Sequence, residues 1–91
     1  MRLQWTSKAS TDLVRLHEFL ANVNKPAAAR VVKSLSVAAK GLVVNPHIGE
    51  CLQEFKPAEV RRILVGHYEL RYEIVGSTIY VLRLWHTREK R

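Results

Sequence analysis

Arginine and histidine gather in two places in this chain, and both could do chemistry on an anion. The segment "EVRRILV" (59–65) carries Arg61 and Arg62, and the C-terminal "VLRLWHTREKR" (81–91) carries Arg83, His86, Arg88, Lys90 and Arg91. Acid–base chemistry on a bound anion without a metal needs a proton acceptor, a proton donor and cations for the charge that develops. The cations are plentiful. An acid–base pair would have to come from His86 with Glu54 or Glu69, which lie far apart in the sequence. His17, His47 and His67 show no metal-ligand spacing, and Cys51 has no activating base beside it, so neither a metal nor a cofactor is expected. Arg61 and Arg62 are neighbours in an extended segment and must point to opposite faces, one toward packing or a pairing with Glu59 or Glu73, the other toward solvent or a partner. Trp5 and Trp85 read as core or core-edge residues.

The chain that must position these groups has 91 residues, 47% hydrophobic and 25% charged, enough for one core and one domain. A single cysteine excludes an intrachain disulfide and fits a reducing cytoplasm. Residues 1–5, MRLQW, lack the apolar run of a signal peptide, and no stretch is long and apolar enough to span a bilayer. The net charge of +7, with a pI near 10.1, suits an acidic protein or a nucleic acid as partner.

Periodicity supplies the elements. Residues 2–5 alternate as a short strand, and Thr6 or Ser7 can cap a helix with Leu13, Leu16 and Leu20 on one face, ending near 22–24. Pro26 suits the first turn of a second helix whose stripe is Ala28, Val31, Leu35, Ala38 and Leu42, and Asn45-Pro46 stops it. Residues 46–58 read as an irregular loop. The period then changes to two, giving strands over 59–65, 68–75 and 78–85 joined by Gly66-His67 and Gly76-Ser77. Tyr68, Leu70, Tyr72 and Ile74 share the face that needs a cover, and the helical hairpin supplies it. The expectation is an α+β domain of order β-α-α-β-β-β, a helical hairpin packed on an antiparallel sheet.

That order, with "WTSKASTDLVRLHEFLA" (5–21), "KPAAARVV" (25–32), "NPHIGE" (45–50), "VRRILVGHYELRYEI" (60–74) and "IYVLRLWHTREKR" (79–91), resembles the ParE/RelE superfamily of type II toxin–antitoxin toxins, on its ParE-like branch. The resemblance implies growth inhibition, with plasmid stabilisation as the usual role. It also implies a complex with an antitoxin whose acidic C-terminal segment lies in apolar grooves along the two helices. RelE-like members cut mRNA in the ribosome, whereas ParE-like members poison DNA gyrase without chemistry of their own. Two departures favour the second mode: Glu69 stands where RelE-like toxins carry an arginine before "LxY", and no tyrosine follows the last strand. On this reading Arg61, Arg62, Arg83, His86, Arg88, Lys90 and Arg91 face the target, and residues 87–91 are dispensable for the fold. The alternative, a ribosome-dependent endoribonuclease, would draw on Arg62, Arg83, His86 and Arg88. A stand-alone nucleic-acid-binding module fits less well, because surface aromatics do not interleave with the basic residues.

Overall fold

The computed structural model describes residues 1–89. It runs β1 (Arg2–Trp5), α1 (Ser7–Ala21), α2 (Lys25–Val44), β2 (Glu50–Cys51), a 3₁₀ turn (Gln53–Phe55), β3 (Glu59–Val65), β4 (Tyr68–Val75) and β5 (Thr78–His86). The Thr6 hydroxyl accepts from the Ala9 amide and the Asn24 side chain from the Ala27 amide, so each helix starts on a side-chain cap. Pro26 sits in the first turn of α2, where no amide donor is needed. Both hairpin turns place glycine first with a left-handed φ, +61° at Gly66 and +58° at Gly76, followed by an ordinary residue. That is the pattern of the type II′ turn, whose twist matches the strands it joins.

The sheet order is β1-β5-β4-β3-β2. β3, β4 and β5 form the expected antiparallel meander, and β1 closes one side by pairing parallel to β5, with Arg2 opposite Thr78 and Trp5 opposite Val81. The expected loop over 46–58 is more ordered than its prolines and glycine suggest. Glu50 and Cys51 pair with Arg62 and Arg61, adding a fifth strand two residues long. Nothing in the local pattern announces so short a strand; the β3 edge templates it.

The helical hairpin covers one sheet face. Between them lie Ala9 and Leu16 of α1, Leu35, Ala39 and Leu42 of α2, and Leu70, Tyr72, Ile79, Val81 and Leu84 of the sheet. Full burial of each such leucine contributes about 2 kcal/mol. On α2 the stripe falls on Ala39, while Ala38 borders a groove. Among the described residues no helix is long and apolar enough to cross a membrane.

Candidate target-binding face

The sheet face away from the helices carries the arginines. In the strand pairing Arg62 lies opposite Arg71, and Arg71 opposite Arg83, so three guanidinium-bearing residues stand in one row across β3, β4 and β5. Side chains alternate along a strand, so this row shares the outer face with Glu69 and Trp85, while Leu70, Tyr72 and Leu84 point into the core.

Strict alternation along β5 would have failed. With Ile79 and Val81 facing the core, Arg83 would fall on the core side. The β4–β5 register shifts at Arg71/Tyr72: Arg71 pairs with Arg83 but Tyr72 pairs with Val81, leaving Leu82 as the extra residue of a bulge. The bulge buries both Val81 and Leu84 and turns Arg83 and Trp85 outward. An arginine in phase with a buried stripe is the sequence signal that marks it.

Like charges opposite one another in a sheet repel. Here acidic groups interleave with the row. Glu69, only 1% exposed, accepts from Arg71 Nη2 at 3.0 Å and from Arg62 Nη1 at 3.4 Å. Glu50 accepts from Arg62 Nε at 2.8 Å, and Asp12 accepts from Arg83 Nε at 2.8 Å. The Arg71 guanidinium lies 4.8 Å from the Trp85 ring centre and 5.4 Å from that of Phe55, and Arg83 lies 5.5 Å from Trp85. Each stack contributes about 1 kcal/mol.

Asp12 belongs to a second construction. β1 is too short to flank all of β5, and α1 serves the remainder. The Thr6 hydroxyl lies 3.0 Å from the Val81 carbonyl and 3.1 Å from that of Leu82, the Leu84 amide donates to Asp12 Oδ2 at 2.9 Å, and Arg15 Nη2 donates to the Leu84 carbonyl at 3.3 Å. Burial alone would raise the Asp12 carboxyl. Hydrogen bonds from Arg83 and the Leu84 amide, the Arg83 charge and Arg15 outweigh it, holding the carboxyl below its ordinary value. As a sequence feature Asp12 reads only as a favourable charge near a helix start. Its sharper signal is position, since it sits between Ala9 and Leu16 on the buried face of α1.

The sequence-derived site residues divide. Arg62 and Arg83 reach the outer face beside Arg71. Arg61 instead fastens the 45–49 loop: its Nε donates to Glu59 at 2.9 Å and its Nη1 to the Gly49 carbonyl at 2.7 Å. Tyr72 holds the same loop from below, donating to the Pro46 carbonyl at 2.7 Å and accepting from the Gly49 amide at 3.0 Å. Burial pushes the Tyr72 hydroxyl up, so it stays protonated and able to donate. His86 lies on the helix side of the sheet, edge-on to Tyr68 at 5.1 Å and stacked on His67 at 6.0 Å. Alternation along β4 and β5 puts it on the face opposite Glu69, Arg71 and Arg83.

Residues 87–89 are tied down, so this part of the 87–91 segment is not the loose tail that the sequence suggests. The Thr87 amide donates to the His67 carbonyl, the Arg88 amide to His86 Nδ1, and the His86 amide to Glu89 Oε2, while Arg15 pairs with Glu89. The Arg88 side chain is exposed, and Lys90 and Arg91 lie outside the described residues. No group of three or more His, Cys, Asp or Glu among the described residues is arranged to hold a metal.

On the far side of the sheet, away from β4, no strand among the described residues pairs with β3 beyond Arg62. β2 pairs only with Arg61 and Arg62, and β3 runs on through Ile63, Leu64 and Val65. Beside these residues a groove of about 620 Å³, bordered by Ala38, Gly41, Leu42 and Ile48, separates β3 from α2. It continues past Val65 into a second depression of about 400 Å³ that includes Arg30, Val31, His67 and Tyr68. Leu64 and Ile48 are 61% and 63% exposed along it.

The family model described as the ParE toxin of the type II toxin–antitoxin system parDE matches residues 3–91. This chain is a member of the ParE toxin family. The match takes in both the arginine row and the open groove. Among curated proteins, Toxin RelE1 of Caulobacter vibrioides is 31% identical over 88 residues, covering 92% of this chain and 90% of that protein. Toxin RelE2 of the same organism is 26% identical over 83 residues, covering 90% of each. A solved structure described as the chromosomal ParDE TA system from P. aeruginosa superposes with a TM-score of 0.78 at 25% identity, covering 94% of this chain and 95% of that one. This ParE-family chain is thus a type II toxin–antitoxin toxin on sequence and architecture alike.

Proposed function

We propose that this ParE-family toxin arrests growth by binding DNA gyrase rather than by cutting RNA, and that a cognate antitoxin keeps it silent. The observation that carries this reading is the separation of its acid–base candidates. Glu69 is buried and held by Arg62 and Arg71, and His86 lies across the sheet from them. A general acid and base must both reach one phosphate, and a site lacking one of these roles loses most of its rate. The exposed ends of Arg62 and Arg83 in the row with Arg71 are instead suited to gripping a protein surface, since arginine is among the residues that dominate the energetics of such contacts. Arg88, exposed at the end of β5, extends the basic surface.

The antitoxin, in this reading, lays an acidic segment with apolar anchors into the groove between α2 and the open β3 edge. The edge offers main-chain partners, the groove takes apolar side chains, and the net charge of +7 attracts the acidic chain.

The deciding experiment gives purified toxin to gyrase supercoiling and cleavage-complex assays and, in parallel, to a translating extract with mRNA. Stabilised gyrase–DNA cleavage with intact mRNA is the expected result. Ribosome-dependent mRNA cleavage with untouched gyrase would replace this reading by an endoribonuclease.

A further inference from the structure

Three in-register arginines beside the exposed Phe55 ring are the raw material of a phosphodiester-binding surface. Guanidiniums chelate phosphate and aromatic rings stack bases. Two of the three remain reachable, because the side chains of Arg62 and Arg83 are 37% and 44% exposed. Glu69 lies in the middle of this row. Its carboxylate occupies donors of both Arg62 and Arg71 and puts a fixed negative charge where a phosphate would sit. Because Glu69 is buried, salt screens these pairs weakly. Glu50, exposed at the rim, can be displaced by a partner, whereas Glu69 cannot swing out to solvent.

We propose that Glu69 determines the specificity of the outer face, cancelling its arginine row so that the face takes a protein surface and refuses phosphodiester chains. This rests on the outer face being the contact face proposed above. The exposed ends of Arg62 and Arg83 remain for carboxylates on the rim of a protein partner. Glu69 is a positioning residue as well, since it holds the Arg71 guanidinium against Trp85.

The test compares the wild type with Glu69→Gln and Glu73→Gln in titrations of a short mixed-sequence single-stranded RNA at several salt concentrations. Glu73 lies on the same strand and outer face, opposite Val60 and Tyr80 and away from the row. Both substitutions add the same net charge, so bulk electrostatics cannot tell them apart. Glu69→Gln is expected to bind about tenfold more tightly than wild type. Its log–log salt slope should be steeper by about one, for the reachable Arg62 released to phosphate. Glu73→Gln should move far less on both measures. Equal gains from the two variants, or a wild type that already binds as tightly as Glu69→Gln, would overturn the proposal. Should circular dichroism show Glu69→Gln to be unfolded, Arg62→Gln and Lys33→Gln, both reachable from solvent and each removing one positive charge, decide the matter with Glu69 in place. Equal, small losses of RNA affinity are then expected, and a loss confined to Arg62→Gln would show that the row takes phosphate despite Glu69 and overturn the proposal. The titration contains neither gyrase nor ribosomes, so its failure leaves the target assignment standing.

Discussion

The two sides of the sheet face the same difficulty and resolve it in opposite ways. On one side the four-residue β1 leaves the end of β5 without a neighbour; on the other the two-residue β2 leaves the end of β3 without one. Unpaired strand edges invite other chains. At β5 the edge is closed from within, because Thr6, Asp12 and Arg15 of one helical segment supply the donors and acceptors that a longer β1 would have offered. At β3 nothing closes it among the described residues, and the adjoining groove exposes leucine and isoleucine. The contrast separates an edge built for stability from one available to a partner, and mutations should separate them too.

The largest effect on folding is expected at the closed edge. Asp12→Ala strands the Leu84 amide and removes the Arg83 partner at a buried position, and should cost about 3 kcal/mol. In thermal unfolding that corresponds to a drop of ~15 °C. A shift of only a degree or two would show that the edge is closed by some other means. At the open edge the expectation reverses. Ile48→Asp should leave the unfolding temperature almost unchanged but weaken binding of the acidic antitoxin about 30-fold in calorimetry, through a lost anchor and a new repulsive charge. Unaltered antitoxin affinity would move the docking site elsewhere.

Smaller effects sharpen the comparison. Tyr72→Phe removes the hydroxyl that holds Pro46 and Gly49, and should cost about 1.5 kcal/mol in denaturant unfolding. It should also loosen Ile48, which that loop carries into the groove, so antitoxin affinity should fall slightly alongside stability. The smallest effect is a pH dependence. Asp12 has a folded-state value below its unfolded one, so its contribution is fully present above about pH 4 and is lost as pH falls through the folded value. The stability curve of the wild type should therefore bend downward below about pH 4 more steeply than that of Asp12→Asn. Parallel curves would remove Asp12 from the acid response.

Much of the fold was legible because it is local. The Thr6 cap, Pro26, the stripe through Leu35 and Leu42, and the glycine-first hairpin turns each act within one turn of chain. The candidate site was legible only in composition. Strand alternation puts Arg61 and Arg62 on opposite faces, yet which of them meets the outer face depends on where β2 and the 45–49 loop return to β3. His86 and Arg83 lie three residues apart in sequence and still end on different faces, because their odd spacing along the strand beyond the Leu82 bulge separates them. The role of Asp12 is not legible locally, since a helix-start carboxylate and an edge-closing carboxylate look alike until β5 is beside it.

The sequence by itself determined the α+β class, the element order and the family. Those depend on hydrophobic period, caps and turn residues, whose physics operates between neighbours in the chain. Only the tertiary structure decided that Arg62, Arg71 and Arg83 form one row, that Glu69 lies buried within it and that one sheet edge is closed while the other is open. Those outcomes depend on strand register and on segments more than seventy residues apart, such as Asp12 and Leu84, meeting in space. A one-residue bulge is enough to redirect such a meeting, and its position is chosen by packing rather than by local preference.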